Sequence, residues 1–516
     1  MNHALCGLAV NAALPSELVQ RLIAVADADI AESLAGRADL SPEQAVTLAA
    51  RVEESAERLA YEGLLTAADI DPVTQPGAAL ALLDQRAGDP EWARLLATHP
   101  DVRRREKLAA CPGLPDDVLE MLASDPEIRV VAELALWTTA GMAARLARHP
   151  HAEVRRAAAA NEATPPDLLA ALATGEGIAP AERCLVCDSV GTPFTHDPHC
   201  PLPDCDLRSG ASCDGSHEST VHETAERVLR NPAAPVEALV RFAGHPSMML
   251  RWALAARPGL PPETGLKLAD DPIPGVRAEL AENPAIDTAL MRKLAADRGH
   301  DVQRTLAHNP RVPLDVLPAL AAAVRIGPTL LPRISAATDA EAEDLSRSSN
   351  PSVRMLLAQR RDLPGGVRDR LAADPDAKVA RSIAPHPGLS EHQLRTMTAR
   401  HGVQVMAKVA ANPDTPPALL EELSRHDPPA RKALREIARH RDASGPALLA
   451  CLADSRARPR AARHPALPTR TVVELLSDDD WQVVEAAAAN PSLPPAVMRD
   501  LVSEAEQTAT APAARH

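Results

Sequence analysis

Five of the eight cysteines of this chain fall in one short stretch, CLVCDSVGTPFTHDPHCPLPDCDLRSGASCDGSHESTVH. They are Cys184, Cys187, Cys200, Cys205 and Cys213, and His196, His199, His217 and His222 lie among them. Cys184 and Cys187 form a C-x2-C knuckle, and Cys200 and Cys205 a C-x4-C pair further on. Two thiol pairs joined by a loop suit tetrahedral Zn²⁺, a borderline-soft ion that favours sulfur and imidazole. The expected ligands are Cys184, Cys187, Cys200 and Cys205, with His199, Cys213 and His217 in second rank. The stretch has little apolar material, so metal binding would supply its folding energy. A [4Fe–4S] cluster on four of these cysteines is the alternative. Disulfides are disfavoured by the odd count and by a reducing compartment, and idle thiols in a loop are the plain reading. A catalytic Cys200 beside His199 or His196 lacks any group to orient the pair. No H-E-x-x-H, Walker, Rossmann or G-x-S-x-G pattern is present, and no enzymatic activity is expected.

The cluster interrupts a repeat. Each unit has two anchors twelve residues apart, the first usually Asp or His before Pro and the second usually Asn or His before Pro, as in Asp271 with Asn283 and Asp374 with His386. Second anchors step by 26 through Asn231, Arg257, Asn283 and Asn309, and again through Arg360, His386 and Asn412. A fixed period of this size marks a stacked array. Asp271-Pro272 has the form of an N-cap followed by Pro at the first helical position. Val154, Val276, Val302, Val353, Val379, Val405 and Val483 recur five residues after their anchors. An apolar residue four further on, such as Leu280 or Leu306, completes a buried stripe. The next X-Pro step ends that helix. A second helix follows a Leu-Pro or Pro-Pro signal and carries pairs such as Leu168 with Leu172, Leu290 with Leu294 and Val497 with Leu501. Helices this short are marginal alone and need the neighbouring copy.

The expected fold is therefore all-α, a right-handed α-solenoid (superhelix) of ~26-residue two-helix repeats with a small cysteine-rich insert. Residues 1–98 carry worn copies that read as a cap, 99–173 clear repeats, 174–218 the insert, 219–502 repeats again, and 503–516 a disordered tail. Asn161 and Asn231 are 70 apart, 44 more than one period of 26, which places the insertion at a turn between copies. At 516 residues a single globular core is not expected. The 49 prolines punctuate helix ends, and with only 1% aromatics the core must be Ala, Leu and Val.

The units HPHAEVRRAAAANEATPPDLLAALA, DPIPGVRAELAENPAIDTALMRKLA and HGVQVMAKVAANPDTPPALLEELS resemble the leucine-rich repeat variant family, over about residues 99–173 and 219–502 and weakly over 1–98. That resemblance implies an armadillo- or HEAT-like helical superhelix, in which one helix of each unit can be of the 3₁₀ kind, and no shared catalytic activity. Family members also carry a cysteine-rich iron–sulfur module at one end, whereas the cluster here is internal. The period here is slightly longer than the family's.

The net charge of −15 argues against broad binding to nucleic acid or anionic membranes, while leaving room for a local basic stripe. No apolar run is long enough to span a bilayer, and the first residues lack a signal peptide's basic region, so the expected location is cytoplasmic. Arg155, Arg251, Arg277 and Arg354 follow the recurring valine. They are expected to lie on a solvated face beside acids such as Glu153 or Glu279, rather than to form a partner stripe. Trp92, Trp137, Trp252 and Trp481 are expected in the core, and His149, His245, His386 and His464 as helix caps. The function expected is a non-enzymatic scaffold that binds a protein or peptide partner. An iron–sulfur redox or metal-responsive regulator and a helical-repeat nucleic-acid binder are the alternatives.

Overall fold

The computed structural model describes residues 3–190, 194–195, 212–213, 215 and 217–510. Two compact units are present, Thr66–Val324 and the pair of segments Met1–Leu65 and Arg325–His516. Among the described residues the protein is helical repeat by repeat, with two short strands, Phe194–Thr195 and Ser212–Cys213. The recurring valines fill the core: Val154, Val276, Val302, Val353, Val379, Val405 and Val483 are all buried, as are Leu280 and Leu306. The small Ala-rich sequence between them lets successive first helices pack against one another, as Ala152–Ala160 does on Ile128–Trp137. In the last copy the buried pair is Met498 and Val502, not Val497 and Leu501, which are half-buried. The apolar phase has slipped by one residue there.

The second anchors hold the copies together. Asn283 donates from Nδ2 to the carbonyls of Ala255 (2.9 Å) and Arg257 (2.6 Å), while its Oδ1 accepts from the Ala285 amide. Asn309 repeats this on Ala281 and Asn283, and Asn490 on Ala462 and His464. Each asparagine thus satisfies carbonyls at the end of the preceding first helix, groups with no partner inside their own helix. Asn231 bonds to Ala159 and Asn161, so the ladder crosses the insertion without a missing rung.

The recurring arginines are not a solvated face. Arg251, Arg277 and Arg354 each grip the aspartate twenty residues on, Asp271, Asp297 and Asp374, through both arms of the guanidinium. Arg105 does the same with Asp125. The aspartate side chains are at most 10% exposed. A third bond from each arginine reaches the carbonyl of its own first anchor, as from Arg277 to Asp271 at 2.7 Å. The first anchor is consequently not an N-cap. The helix after Asp271 is Pro274–Glu282, and Asp271 instead accepts from the Ile273 amide and from Arg251 of the preceding copy.

The tryptophans also depart from expectation. Trp137 and Trp481 are 62% and 49% exposed, and Trp92 and Trp252 are half-buried. An interior of close-packed Ala, Val and Leu has no room for an indole. Arg230 lies over the Trp252 ring at 5.5 Å.

The first copy packs on the last. Helix His3–Ala9 lies against Trp481–Ala488, and Asn11 donates to the carbonyls of Ala488 and Asn490, both at 2.8 Å. This is the same bond pattern that joins Asn490 to the copy before it. The face of the first copy is therefore covered rather than left as a free cap. The final helix, Pro495–Thr510, runs well into the segment expected as a tail. Arg21 holds it through both oxygens of Glu506 and through Ser503.

Histidines take the asparagine's place at some second anchors, and they act as rungs rather than caps. His386 is fully buried and donates one bond, Nε2 to the Ala358 carbonyl at 2.8 Å. His440 and His464 accept from the amide two residues on, but Gly388 gives its amide to Asp414, and His386 Nδ1 has no partner. Burial pushes its imidazole from 6.5 down to about 4. A folded-state pKa below the unfolded one stabilises the protein above pH 6.5, and that contribution is lost as pH falls toward 4. His386→Asn restores two donors and removes the titration. The variant is expected to lose about 2 kcal/mol less than the parent between pH 7.5 and pH 5 in urea unfolding. An equal pH dependence in both proteins would contradict this role.

Candidate metal centre

The insert is tied down before its cysteines begin. Helix Pro166–Thr174 ends at Gly175, whose φ of 73° a glycine adopts without strain. The aspartate that would pair with Arg155 is thus absent from its register. Arg155 reaches instead to the carbonyls of Ala179 (2.5 Å) and Pro180 (3.4 Å) at the root of the insert, and to that of His149. The chain then runs beside the start of helix Ala152–Ala160. The Glu182 amide donates to the Pro150 carbonyl and the Ala152 amide to the Arg183 carbonyl, both at 2.8 Å. His151 caps that helix through Nδ1 and meets Asp188 through Nε2 at 3.1 Å. Burial pushes the His151 imidazole below its usual range, and Asp188 opposes that shift.

Cys184 follows directly and is buried with Ala152, Val186 and Cys213. It opens the short helix Leu185–Val190, whose first turn bends Cys187 back toward it. The Cys184 amide donates to Cys187 Sγ at 3.1 Å. Burial, the largest influence, pushes the Cys184 thiol up to about 12. Cys213 arrives on strand Ser212–Cys213, paired antiparallel with Phe194–Thr195. The Gly215 amide donates to its sulfur at 3.4 Å. His217 then turns the chain with φ 57° into helix Glu218–Arg230. That left-handed conformation is uncommon for a residue with a side chain and is found where local structure demands it.

His217 Nδ1 lies 3.5 Å from Cys213 Sγ and 3.9 Å from Cys187 Sγ. One ligand atom from each of Cys184, Cys187, Cys213 and His217 falls within 4.8 Å of every other. Ligands about 2.3 Å from one tetrahedral ion stand roughly 3.7 Å apart. The donor set, its spacing and its burial therefore fit a single metal ion. The amides aimed at two of the sulfurs are what a thiolate uses to spread its charge.

Of the first-rank residues, Cys184 and Cys187 come together here. Cys200 and Cys205, and His199 of the second rank, lie outside the described residues. Cys213 and His217, placed second from sequence, complete the group. Their Cys-x3-His spacing into a helix start was the available signal. The hold of Arg155 on the root of the insert and the His151–Asp188 pair carried no sequence signal, because both depend on how the insert returns to its repeat. His222 takes no part in the group and sits 3.1 Å from Ser247 Oγ.

No family model matches this chain, and no curated protein matches it. A search of solved structures matches it to one described as the Pds5–Scc1 complex, at 11% sequence identity and a TM-score of 0.16. The match covers 92% of this chain, which spans 66% of that one.

Proposed function

We propose that this protein is a non-enzymatic, cytoplasmic helical-repeat scaffold that binds a protein partner, and that Cys184, Cys187, Cys213 and His217 hold one structural Zn²⁺. The scaffold reading rests on one observation. Met248, Val403 and Trp481 occupy the same position of their first helices, nine residues before the second anchors Arg257, Asn412 and Asn490. They are 46%, 59% and 49% exposed. On the same helices Leu250, Val405 and Val483 are buried, and an apolar position left uncovered in several copies supports a partner-binding surface. The leucine-rich repeat variant resemblance stands beside this reading and adds no activity to it.

Zinc is favoured because three thiols and one imidazole close a tetrahedron, as in structural sites. An iron–sulfur cube stands between its cysteines and needs them wider apart than the ligand atoms found here. A structural ion would fasten the insert to the start of Ala152–Ala160, where Arg155 and His151 already hold its root.

Purified full-length protein is expected to be colourless with about one zinc per chain by elemental analysis. Brown protein bleached by dithionite would replace zinc with a cluster. For the scaffold, a photo-crosslinking residue is placed at Val403 or, as control, at exposed Leu266 on a second helix. A discrete protein adduct in cells from Val403 alone is expected. Adducts from neither position, or the same adducts from both, would overturn the reading.

A further inference from the structure

The outward row of the first helices changes character between residues 377 and 463. Arg381, on helix Ala377–Ile383, and Arg431 and Lys432, at the start of Arg431–Ile437, line a groove of about 350 Å³ with Val403 between them. On the other side of that helix a larger groove of about 770 Å³ is lined by Arg439, Arg456, Arg460 and Arg463, and ends at Trp481 and Val10. All of these cations are exposed, as is Lys408 on the intervening helix. Arg439 pairs with Glu436 at 3.1 Å. Among the described residues the others have no carboxylate partner, and Glu485, beside Trp481, is the one acid lining either groove.

This departs from the rest of the protein, where inter-repeat arginines are spent on aspartates. The chain carries a net charge of −15. Unpaired like charges this close repel one another and cost stability. Two features give the groove its shape: cations recurring copy by copy, and an apolar floor of Ala407, Ala438, Ala486 and Pro459 that ends at an exposed indole.

Deepening the scaffold reading, on which this rests, we propose that these two grooves bind an extended acidic segment of the partner protein, with an apolar side chain seated at Trp481 and Val10. Five successive first helices at about 9 Å spacing span roughly 36 Å. An extended peptide covers that with about eleven residues. Single-stranded nucleic acid, the other polyanion, takes its affinity from a run of aromatic platforms as well as from cations. The grooves offer Trp481 alone, and its ring is already stacked on His3 at 4.6 Å. A carboxylate-rich peptide uses what is present: guanidinium forks for the acids and one apolar seat.

Fluorescence anisotropy on the full chain tests this with a labelled peptide of about twelve residues, Glu- and Asp-rich with one Leu near its end. Comparison probes are the same peptide with Gln and Asn for its acids, and a single-stranded oligonucleotide of equal charge. The acidic peptide is expected to bind more tightly than either, and to weaken as NaCl rises from about 0.05 M to about 0.3 M. Arg456→Glu with Arg460→Glu is expected to reduce its affinity at least ~10-fold, and Trp481→Ala several-fold. The glutamine pair R456Q/R460Q, with circular dichroism matching the parent, separates loss of charge from loss of fold. Equal binding by the variants, tighter binding by the oligonucleotide, or no peptide binding would overturn the proposal. So would a dimer that Arg456→Glu dissociates, since a second copy would then be the occupant. A crosslinked partner at Val403 with no acidic-peptide binding would end this inference and leave the scaffold standing.

Discussion

Gly7→Ala parts the first copy from the last. A Cβ at Gly7 would stand 2.0 Å from the Glu485 carbonyl oxygen and 3.0 Å from the Ala488 Cβ. The nearest obstacle is backbone inside a helix and cannot swing aside. Helix His3–Ala9 must therefore lift from Trp481–Ala488, and Asn11 loses its hold on two buried carbonyls. Overpacking and unpaired carbonyls together cost about 3 kcal/mol. Hydrogen exchange over residues 481–502 is expected to quicken roughly hundredfold, with residues 271–309 unchanged. The Arg21–Glu506 pair stays intact, so the final helix remains tethered while its neighbours open. Unaltered exchange over 481–502 would show that the contact contributes nothing.

Cys213→Ser empties the proposed zinc site. An oxygen replaces one of three sulfurs, and a structural zinc contributes on the order of 10 kcal/mol to the folding of a small metal-organised segment. Zinc content is expected to fall from about one per chain to near zero, with affinity down at least ~100-fold. Limited proteolysis should then cut between 184 and 217, while the repeats on either side stay whole, because Asn231 still bonds to Ala159 and Asn161. Cys200→Ser is expected to keep the metal. Metal lost in Cys200→Ser and kept in Cys213→Ser would return the ligands to the set of Cys184, Cys187, Cys200 and Cys205.

What the sequence disclosed was the part written locally. Val276 and Leu280 are four apart and land on one face, so their burial follows from helical geometry. The role of Arg277 was open to the same kind of reading. Its partner Asp297 lies twenty residues on, as Asp271 lies from Arg251 and Asp374 from Arg354, and a constant offset is itself a contact signal. The nearer acid, Glu279, is taken by the Trp252 indole instead. Asp271 before a proline imitates a cap because a carboxylate meets an amide two residues on in both cases. For the metal centre, the knuckle Cys184–Cys187 is local and was visible. The choice of Cys213 and His217 depends on a strand pair and a left-handed turn, which spacing alone does not encode. The row of unpaired arginines was masked by the acidic total, since net charge averages over faces that never meet.

During synthesis, Asn11 waits for acceptors 477 and 479 residues further along. At about 5–20 residues per second that delay is roughly 25 to 100 s. Through that time Leu5, Leu8 and Ala9 are covered from one side alone, by the following copy at Ala28–Ala35. Helix His3–Ala9 completes its packing only after Trp481–Ala488 has been made, so chaperone demand should fall on this helix in the nascent chain rather than on the finished protein.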